Sequence, residues 1–416
     1  MFNTDMKRRN TVYILIFSAV LLLGLNKAFM VLKNPMMSSD EELINHDKIS
    51  SQKLVDNVWN IVRKNYYDST MNEQNWYRWK HRYDDKIKND DDAKVAIDTM
   101  LASLNDPYSR FMSKSEYSDQ NTSINSRIFG IGVNISSVAG KIHIVNVIDG
   151  TPAQSANILS GDIILDIDGK EASGLSISEV ANLVRGPENT IVQLTILRNG
   201  DKFVKKIIRK EIKIKTVKSS VDNNIGYIQI NSFIGSTTPN EFLEAAEKTK
   251  NTDGLVIDLR GNTGGLLPNA IFIANLFIPE GKLVSIVGRN GYRYDIQAQE
   301  TDFKIEKPVV ILVDGGSASA SEIFSGAMKD YNRAKLVGTK TFGKGMVQKI
   351  IPLENETGLN LTVAKYLTPN GTDINQKGIN PDMEVQFTEK NIRNHEDVQL
   401  QAAKNLLNKM IGHAIK

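Results

Sequence analysis

Val309-Val310-Ile311-Leu312-Val313 runs into Asp314-Gly315-Gly316 and then into Ser317-Ala318-Ser319-Ala320-Ser321-Glu322. A short continuous apolar run is the pattern of a strand buried on both faces. The glycine pair reads as a turn, and Ala320–Met328 as the helix after it. The same order occurs upstream, where Leu255–Leu259 leads to Gly264-Gly265 and then to the helical pattern Leu266–Phe277. Strand, glycine turn and helix, twice over, predict a βα region beginning near Ile225–Ile230, with ligands at the carboxyl ends of its strands.

The pattern changes on the amino-terminal side. Gly130–Ile135, Ile142–Ile148, Asp162–Ile167, Ile191–Leu197 and Phe203–Ile208 read as short strands, interrupted by a helical segment from Ser178 to Val184. They predict a compact, mostly β module. Before it, Leu54, Val58, Ile61 and Val62 recur at helical spacing, and Trp59, Trp76 and Trp79 read as packing residues. The stretch Leu104 to Phe111 breaks the helical pattern and marks a boundary, and the tail from His395 to Ile411 is again helical.

At the amino terminus Lys7-Arg8-Arg9 precedes an apolar run from Thr11 to Leu25 that continues through Leu32. With that continuation it reaches the ~20 residues that a span requires. The basic flank keeps the terminus cytoplasmic and exports the remainder of the chain. No small-x-small cleavage site lies close behind the run, so a signal anchor is expected in preference to a cleaved signal peptide.

Composition closes several routes. The chain has 416 residues, and its 51 basic and 48 acidic side chains nearly balance, which points to no nucleic-acid partner. It has no cysteine, so disulfides, thiolate metal sites and Cys nucleophiles are excluded. Its five histidines fit no paired zinc spacing, and none falls between residues 212 and 390. A Ser-His-Asp triad confined to the βα region is therefore impossible, and a serine there needs lysine or a carboxylate to activate it.

Ser317, Ser319 and Ser321 stand where helix N–H groups can stabilise an oxyanion, although Ser319-x-x-Glu322 is also a capping box, a plain helix-start device. Downstream, Lys344 lies in Gly343-Lys344-Gly345, which reads equally as a solvated lysine on a hairpin turn. The spacing from Gly338 to Lys344 imitates a P-loop. Gly345 replaces its Ser/Thr, however, and the next segment, Met346–Ile351, reads as strand.

In the middle module, Phe129-Gly130-Ile131-Gly132, Gly150-Thr151-Pro152-Ala153 and Gly161-Asp162-Ile163-Ile164 resemble PDZ domains, with a small ligand-free β-barrel as the alternative. Such a glycine loop can cradle a terminal carboxylate, and the strand after it can accept a peptide at its edge. Asn157 stands where glycine is common; asparagine tolerates the left-handed turn.

Taken together, the chain resembles the carboxyl-terminal-processing (tail-specific) protease family, exported serine peptidases with an inserted PDZ domain. The resemblance rests on Asp106-Pro107-Tyr108-Ser109, the PDZ-like segments, Asp258 to Gly265, Ser317–Glu322, Thr341 to Gly345 with Gln348, Tyr366 to Gly371, and Gly378 to Asp382. It implies an α+β and α/β multidomain chain. The expected segments are a transmembrane anchor over 1–33, a linker over 34–50, a helical lead over 51–115, a PDZ-like module over 116–210, a ClpP/crotonase-like βα protease core over 211–390 and a helical tail over 391–416.

The resemblance further implies Ser319 as nucleophile, Lys344 as base and Gln348 as the residue that positions the lysine. Oxyanion donors come from the backbone of Gly264, Gly265 and Ala320. Phe129, Gly130, Ile131 and Gly132 hold the peptide terminus, and Arg185 links the ligand-bound module to the active site. Thr263 replaces a common proline before the glycine pair. Partners are protein tails and, through the anchor, the bilayer; no cofactor, metal or nucleic acid is implied, and a homodimer through the terminal helices stays open. Two other readings remain, a non-catalytic tethered PDZ scaffold and a hydrolase of small acyl compounds.

Overall fold

The computed structural model describes residues 50–414 apart from 126–127, 139 and 213–214. The anchor expected over 1–33 and all but the last residue of the linker lie outside the described residues. Among those described, no helix is long and apolar enough to cross a membrane. The described residues form two compact units, one within 120–215 and one of the others.

In the larger unit the predicted apolar runs become a six-stranded sheet. Its order is Val217–Asp222, Ile225–Ile230, Gly254–Asp258, Val309–Val313, Lys335–Gly338 and Met383–Glu384. The first pair is antiparallel and the rest parallel. Every residue of Gly254–Asp258 and Val309–Val313 is buried, as continuous apolar runs demand. One face packs on Thr238–Lys248, Leu267–Asn275 and Ala320–Asp330 through Phe242, Phe277 and Phe324. The other is covered by Val398–Ala414, which buries Ala403 and Leu407 against Val256, Val310 and Leu312. This helix starts later than the sequence suggests, because His395 takes a left-handed φ of 54° and Asp397 caps Leu400 N–H.

A second, antiparallel sheet is built on Gly358–Leu367, which pairs with Arg110–Met112, Lys282–Gly288 and Met346–Pro352; Arg293–Gln297 extends it. The helices Ser51–Asn65 and Asp90–Ala102 bury Trp59, Trp76 and Trp79 in one cluster with Leu353, Leu359 and Leu361 of this sheet. The lead segment expected as a domain over 51–115 therefore shares its core with the second sheet. Apolar faces that cannot close on themselves close on the sheet.

The smaller unit has strands in the order Val133–Val138, Lys141–Val147, Ile163–Ile167, Ile191–Arg198 and Asp201–Ile208, with the helix Ile177–Val184 over its core. The expected strand Gly130–Ile135 is divided. Ile128–Gly130 pairs with Lys210–Ile212, and Gly132 at φ 85° turns the chain into Val133–Val138. A Cβ on Gly132 would lie 2.4 Å from Thr151, so glycine is required there. Asn157 takes the left-handed conformation read from the sequence, φ 56°.

Candidate active site

Two turns at the carboxyl ends of neighbouring strands are laced together. Asp314 Oδ1 accepts the N–H groups of Gly261 and Gly316, both at 2.9 Å. Fully buried Asn262 donates through Nδ2 to Ile230 C=O at 2.7 Å, and its own carbonyl accepts from Ala318 N–H at 3.0 Å. Ser317 and Ser321 are fully buried, and their hydroxyls donate to the Leu259 and Asn262 carbonyls, each at 2.8 Å. These bonds occupy two of the three candidate serines in holding the turns together.

Ser319 differs. It is partly exposed and sits at φ 55°, ψ −114° at the start of Ala320–Asp330. A non-glycine residue there stores roughly 1–3 kcal/mol of strain and persists only where its surroundings over-determine it. A serine on a sharp strand-to-helix turn is the arrangement of a nucleophile elbow. The glycine turn makes room for it: a Cβ on Gly264 would lie 2.9 Å from Ser319 Cβ and 2.9 Å from Ala320 N. One sequence expectation needs correction. Gly264 donates its N–H to Asn262 Oδ1 at 2.9 Å, so Gly264 is a spacer, not an oxyanion donor. Ala320, as first residue of its helix, has an N–H with no intrahelical acceptor.

Glu322 does far more than cap a helix. It is fully buried, and the capping box forms, with its carboxylate accepting Ser319 N–H at 2.9 Å. The same oxygen accepts Lys344 N–H at 2.8 Å; the other accepts Gly343 N–H at 2.7 Å and the Thr341 hydroxyl at 2.6 Å. A second bridge is buried Tyr366, whose hydroxyl lies 2.6 Å from Lys344 C=O and 3.1 Å from Ser319 C=O, its single proton shared between them. Ser319 and Lys344 are thus joined through their backbones twice. Thr341 accepts from Ile379 N–H at 2.7 Å, and Gly343 C=O accepts from Gln376 N–H at 2.8 Å, so the 374–379 segment fixes the lysine loop.

Burial pushes the Lys344 amine below the ordinary lysine value, against a smaller opposing pull from the Asp106 carboxylate. Its Nζ lies 5.0 Å from the centroid of the Tyr108 ring. Among the described residues, no hydrogen bond joins the Ser319 and Lys344 side chains. Gln348, expected to position the lysine, lies on Met346–Pro352 opposite Thr362, just after a register shift, and its Nε2 is buried without a partner.

Behind the glycine turn, Arg260 donates to Asp258 and to Asp397 at the start of the last helix. Burial opposes the charge, but the bonds to Asp397 and Asp258 hold the guanidinium above its ordinary value. Tyr227 also donates to Asp258, at 2.7 Å. In the smaller unit, Val133–Val138 ends its sheet and leaves one edge unpaired within it. Ile131, Val180 and Val184 share the core beneath that edge, and Arg185 Cγ would lie 4.0 Å from a Cβ on Gly130. Buried Arg209 donates to the Leu183 and Val184 carbonyls, closing the end of the helix.

Sequence reading missed Glu322, Tyr366, Tyr108 and Arg209 as site-building residues. For Glu322 a signal exists: it is the one charged residue between Asp314 and Lys329. A lone carboxylate in so apolar a helix is a buried one.

A strained serine at a helix start, a desolvated lysine and glycine turns beside them, together with a separate β unit carrying an open strand edge, define a PDZ-bearing peptidase of the serine type. Residues 224–385 match the model of peptidase family S41, and residues 130–206 match that of the PDZ domain. The chain is 36% identical over 376 residues to the carboxyl-terminal-processing protease of Synechocystis sp., covering 86% of each chain. It is 41% identical over 341 residues to the carboxy-terminal-processing protease of Bartonella bacilliformis, covering 76% of this chain and 77% of that one. Among solved structures it is similar to the photosystem II D1 C-terminal processing protease, with TM-score 0.56 and 29% identity over 82% of this chain and 94% of that one. The chain belongs to peptidase family S41, among the carboxyl-terminal-processing serine proteases.

Proposed function

We propose that the protein is a membrane-anchored endopeptidase working through a Ser319–Lys344 dyad on substrates chosen by their carboxyl-terminal tails. The tail adds as a strand to Val133–Val138, its carboxylate held by the loop Phe129 to Gly132, while Arg185 beside that loop relays occupancy. Ser319 Oγ attacks the scissile carbonyl as Lys344 takes its proton, and the lysine then returns that proton to the leaving amine. The N–H groups of Ala320 and Gly265 stabilise the oxyanion. Gln348 orients the lysine in its working position. The basic Lys7-Arg8-Arg9 before the apolar amino-terminal run supports an anchor with the peptidase on the exported side of a membrane.

The observation that carries this reading is the strained backbone of Ser319, bridged through Glu322 and Tyr366 to a lysine whose burial favours the neutral amine. Profiling of new protein carboxyl termini in cells carrying wild type or Ser319→Ala tests it. Cleavages present only with wild type are expected, and identical profiles would sink the proposal. Lys344→Arg should be equally inactive, because arginine stays protonated at working pH.

A further inference from the structure

The Lys344 ammonium has an unusual setting. Its backbone is held at both ends, by Glu322 through the N–H and by Tyr366 through the carbonyl, so only the four-carbon stem can move. Half buried as it is, the ammonium finds no carboxylate or carbonyl acceptor among the described residues. What faces it is the Tyr108 ring, with Nζ 5.0 Å from the centroid. An aromatic face attracts a cation through its quadrupole, more strongly when the cation is partly desolvated.

The ring is itself built into place. Asp106 accepts Tyr108 N–H at 3.0 Å through one oxygen and the Ser109 hydroxyl at 2.6 Å through the other. Ser109 Oγ, buried, accepts Thr362 N–H at 3.0 Å, and the chain then enters the strand Arg110–Met112 beside Gly358–Leu367. This polar tie pins the 106–109 segment around Tyr108 to the sheet that carries Tyr366. The Tyr108 hydroxyl has no hydrogen-bond partner among the described residues, so the ring alone meets the lysine.

We propose that Tyr108 is a positioning residue whose ring face is the resting seat of the protonated Lys344 side chain, which leaves that seat for Ser319 on losing its proton. The inference rests on the dyad proposed for catalysis. A quadrupole holds an ammonium and has little hold on a neutral amine, so the seat distinguishes the two forms of the base. The ionisable groups around Lys344 are Asp106 and Tyr108 before one strand, Glu322 on the helix after Ser319, and Tyr366 on the central strand of the second sheet. Asp106 also favours the charged form, so ring and carboxylate act in the same direction.

The test is the pH dependence of kcat/KM on a peptide substrate for the full chain, wild type against Tyr108→Phe and Tyr108→Leu. The rising limb reports loss of the lysine proton. Removing the ring removes support for the cation, so in Tyr108→Leu this limb should move to lower pH by roughly half to one and a half units. Tyr108→Phe keeps the ring and should superimpose on wild type. An unmoved limb in Tyr108→Leu, or equal shifts in both variants, overturns the proposal.

A second measurement needs neither activity nor a change at Tyr108. In Ser319→Ala protein with labelled lysine, the Lys344 Hε protons should be shifted upfield by the ring at low pH, and the shift should relax as the amine titrates. Ordinary Hε positions at low pH would refute the seat. A Lys344→Ala protein that still cleaves would instead remove the dyad, leaving the NMR result to stand alone.

Discussion

Glu322→Gln is the sharpest perturbation of this site, because it keeps volume and shape while turning one acceptor oxygen into a donor and removing the charge. The carboxylate accepts four donors: Ser319 N–H and Lys344 N–H on one oxygen, Gly343 N–H and the Thr341 hydroxyl on the other. An amide must turn its NH2 toward one of these pairs, so two donors face donors whichever way it flips. Thr341 could accept the amide on its second lone pair, but its own hydroxyl proton would then lose the acceptor it has in the carboxylate. A buried donor left unmet costs about 1–3 kcal/mol, and the two surviving bonds weaken once they meet a neutral group. After relaxation the loss comes to about 4 kcal/mol, a large part of a typical ~5–15 kcal/mol stability. At roughly 2–4 °C per kcal/mol, calorimetry should record a fall in Tm of about 8–16 °C.

Activity should suffer separately, because the same carboxylate sets the backbones of Ser319 and Lys344, the proposed nucleophile and base. A displacement of about 1 Å costs on the order of a hundredfold, so kcat should drop by about that factor while KM on a short peptide changes little. A pure capping role predicts something quite different, a loss of about 1 kcal/mol with kcat intact. Wild-type kcat together with a Tm change of only a few degrees would therefore refute the clamp and return Glu322 to an ordinary helix cap.

Gly264→Ala should inactivate, since its Cβ would lie 2.7 Å from Ala318 O and 2.9 Å from Ser319 Cβ at a φ of 102°; normal turnover by a folded variant would show that the turn can yield. Arg260→Met should destabilise by about 3 kcal/mol by leaving buried Asp258 without its cation, and denaturant titration would expose the error if stability held. Lys344→Met should abolish turnover yet raise stability at neutral pH. The lysine pKa is depressed by burial in the folded state, so that state binds fewer protons than the unfolded chain between the two pKa values. Its destabilising contribution is complete below the folded pKa and gone above the unfolded value near 10.5, so stability gained by the substitution should shrink as pH rises; a constant difference from pH 7 to 11 would contradict this.

The βα region was legible because its strands are buried on both faces, and few structures other than such a strand bury a short continuous apolar run between glycine turns. Val309–Val313 emerges with the bounds its sequence suggests. The second sheet was not legible. Gly358–Leu367 mixes Asn360, Thr362 and Lys365 with leucines, because helices cover only part of it and its partner Arg110–Met112 lies some 250 residues earlier. The absence of histidine narrowed the choice of base, but three serines and a glycine-flanked lysine stayed open until the family resemblance pointed to Ser319 and Lys344. What joins them could not be read, because Glu322 wears the disguise of a capping box and Tyr366 sits in a different sheet. Sequence spacing reports helix starts faithfully. It does not report that one carboxylate serves two turns.

That division explains how the site tolerates strain. Ser319 keeps its left-handed φ because Ala318 N–H is tied to Asn262, Ser319 N–H to Glu322, and Ser319 C=O to Tyr366 and to the first helical amides. The glycine turn is part of the same requirement, since only a residue without Cβ fits against the serine in that pose. On the proposed mechanism, Ser319 and the backbone donors beside it are thus held by the backbone, as preorganised stabilisation of charge demands. Lys344, the proposed base, is held differently. Its backbone is clamped to the same frame, but its amine extends on a flexible stem and, among the described residues, meets the Tyr108 ring face. On the proposed mechanism, torsional latitude is therefore concentrated in the lysine that must change partners during the reaction, and kept away from the serine turn whose geometry sets the barrier.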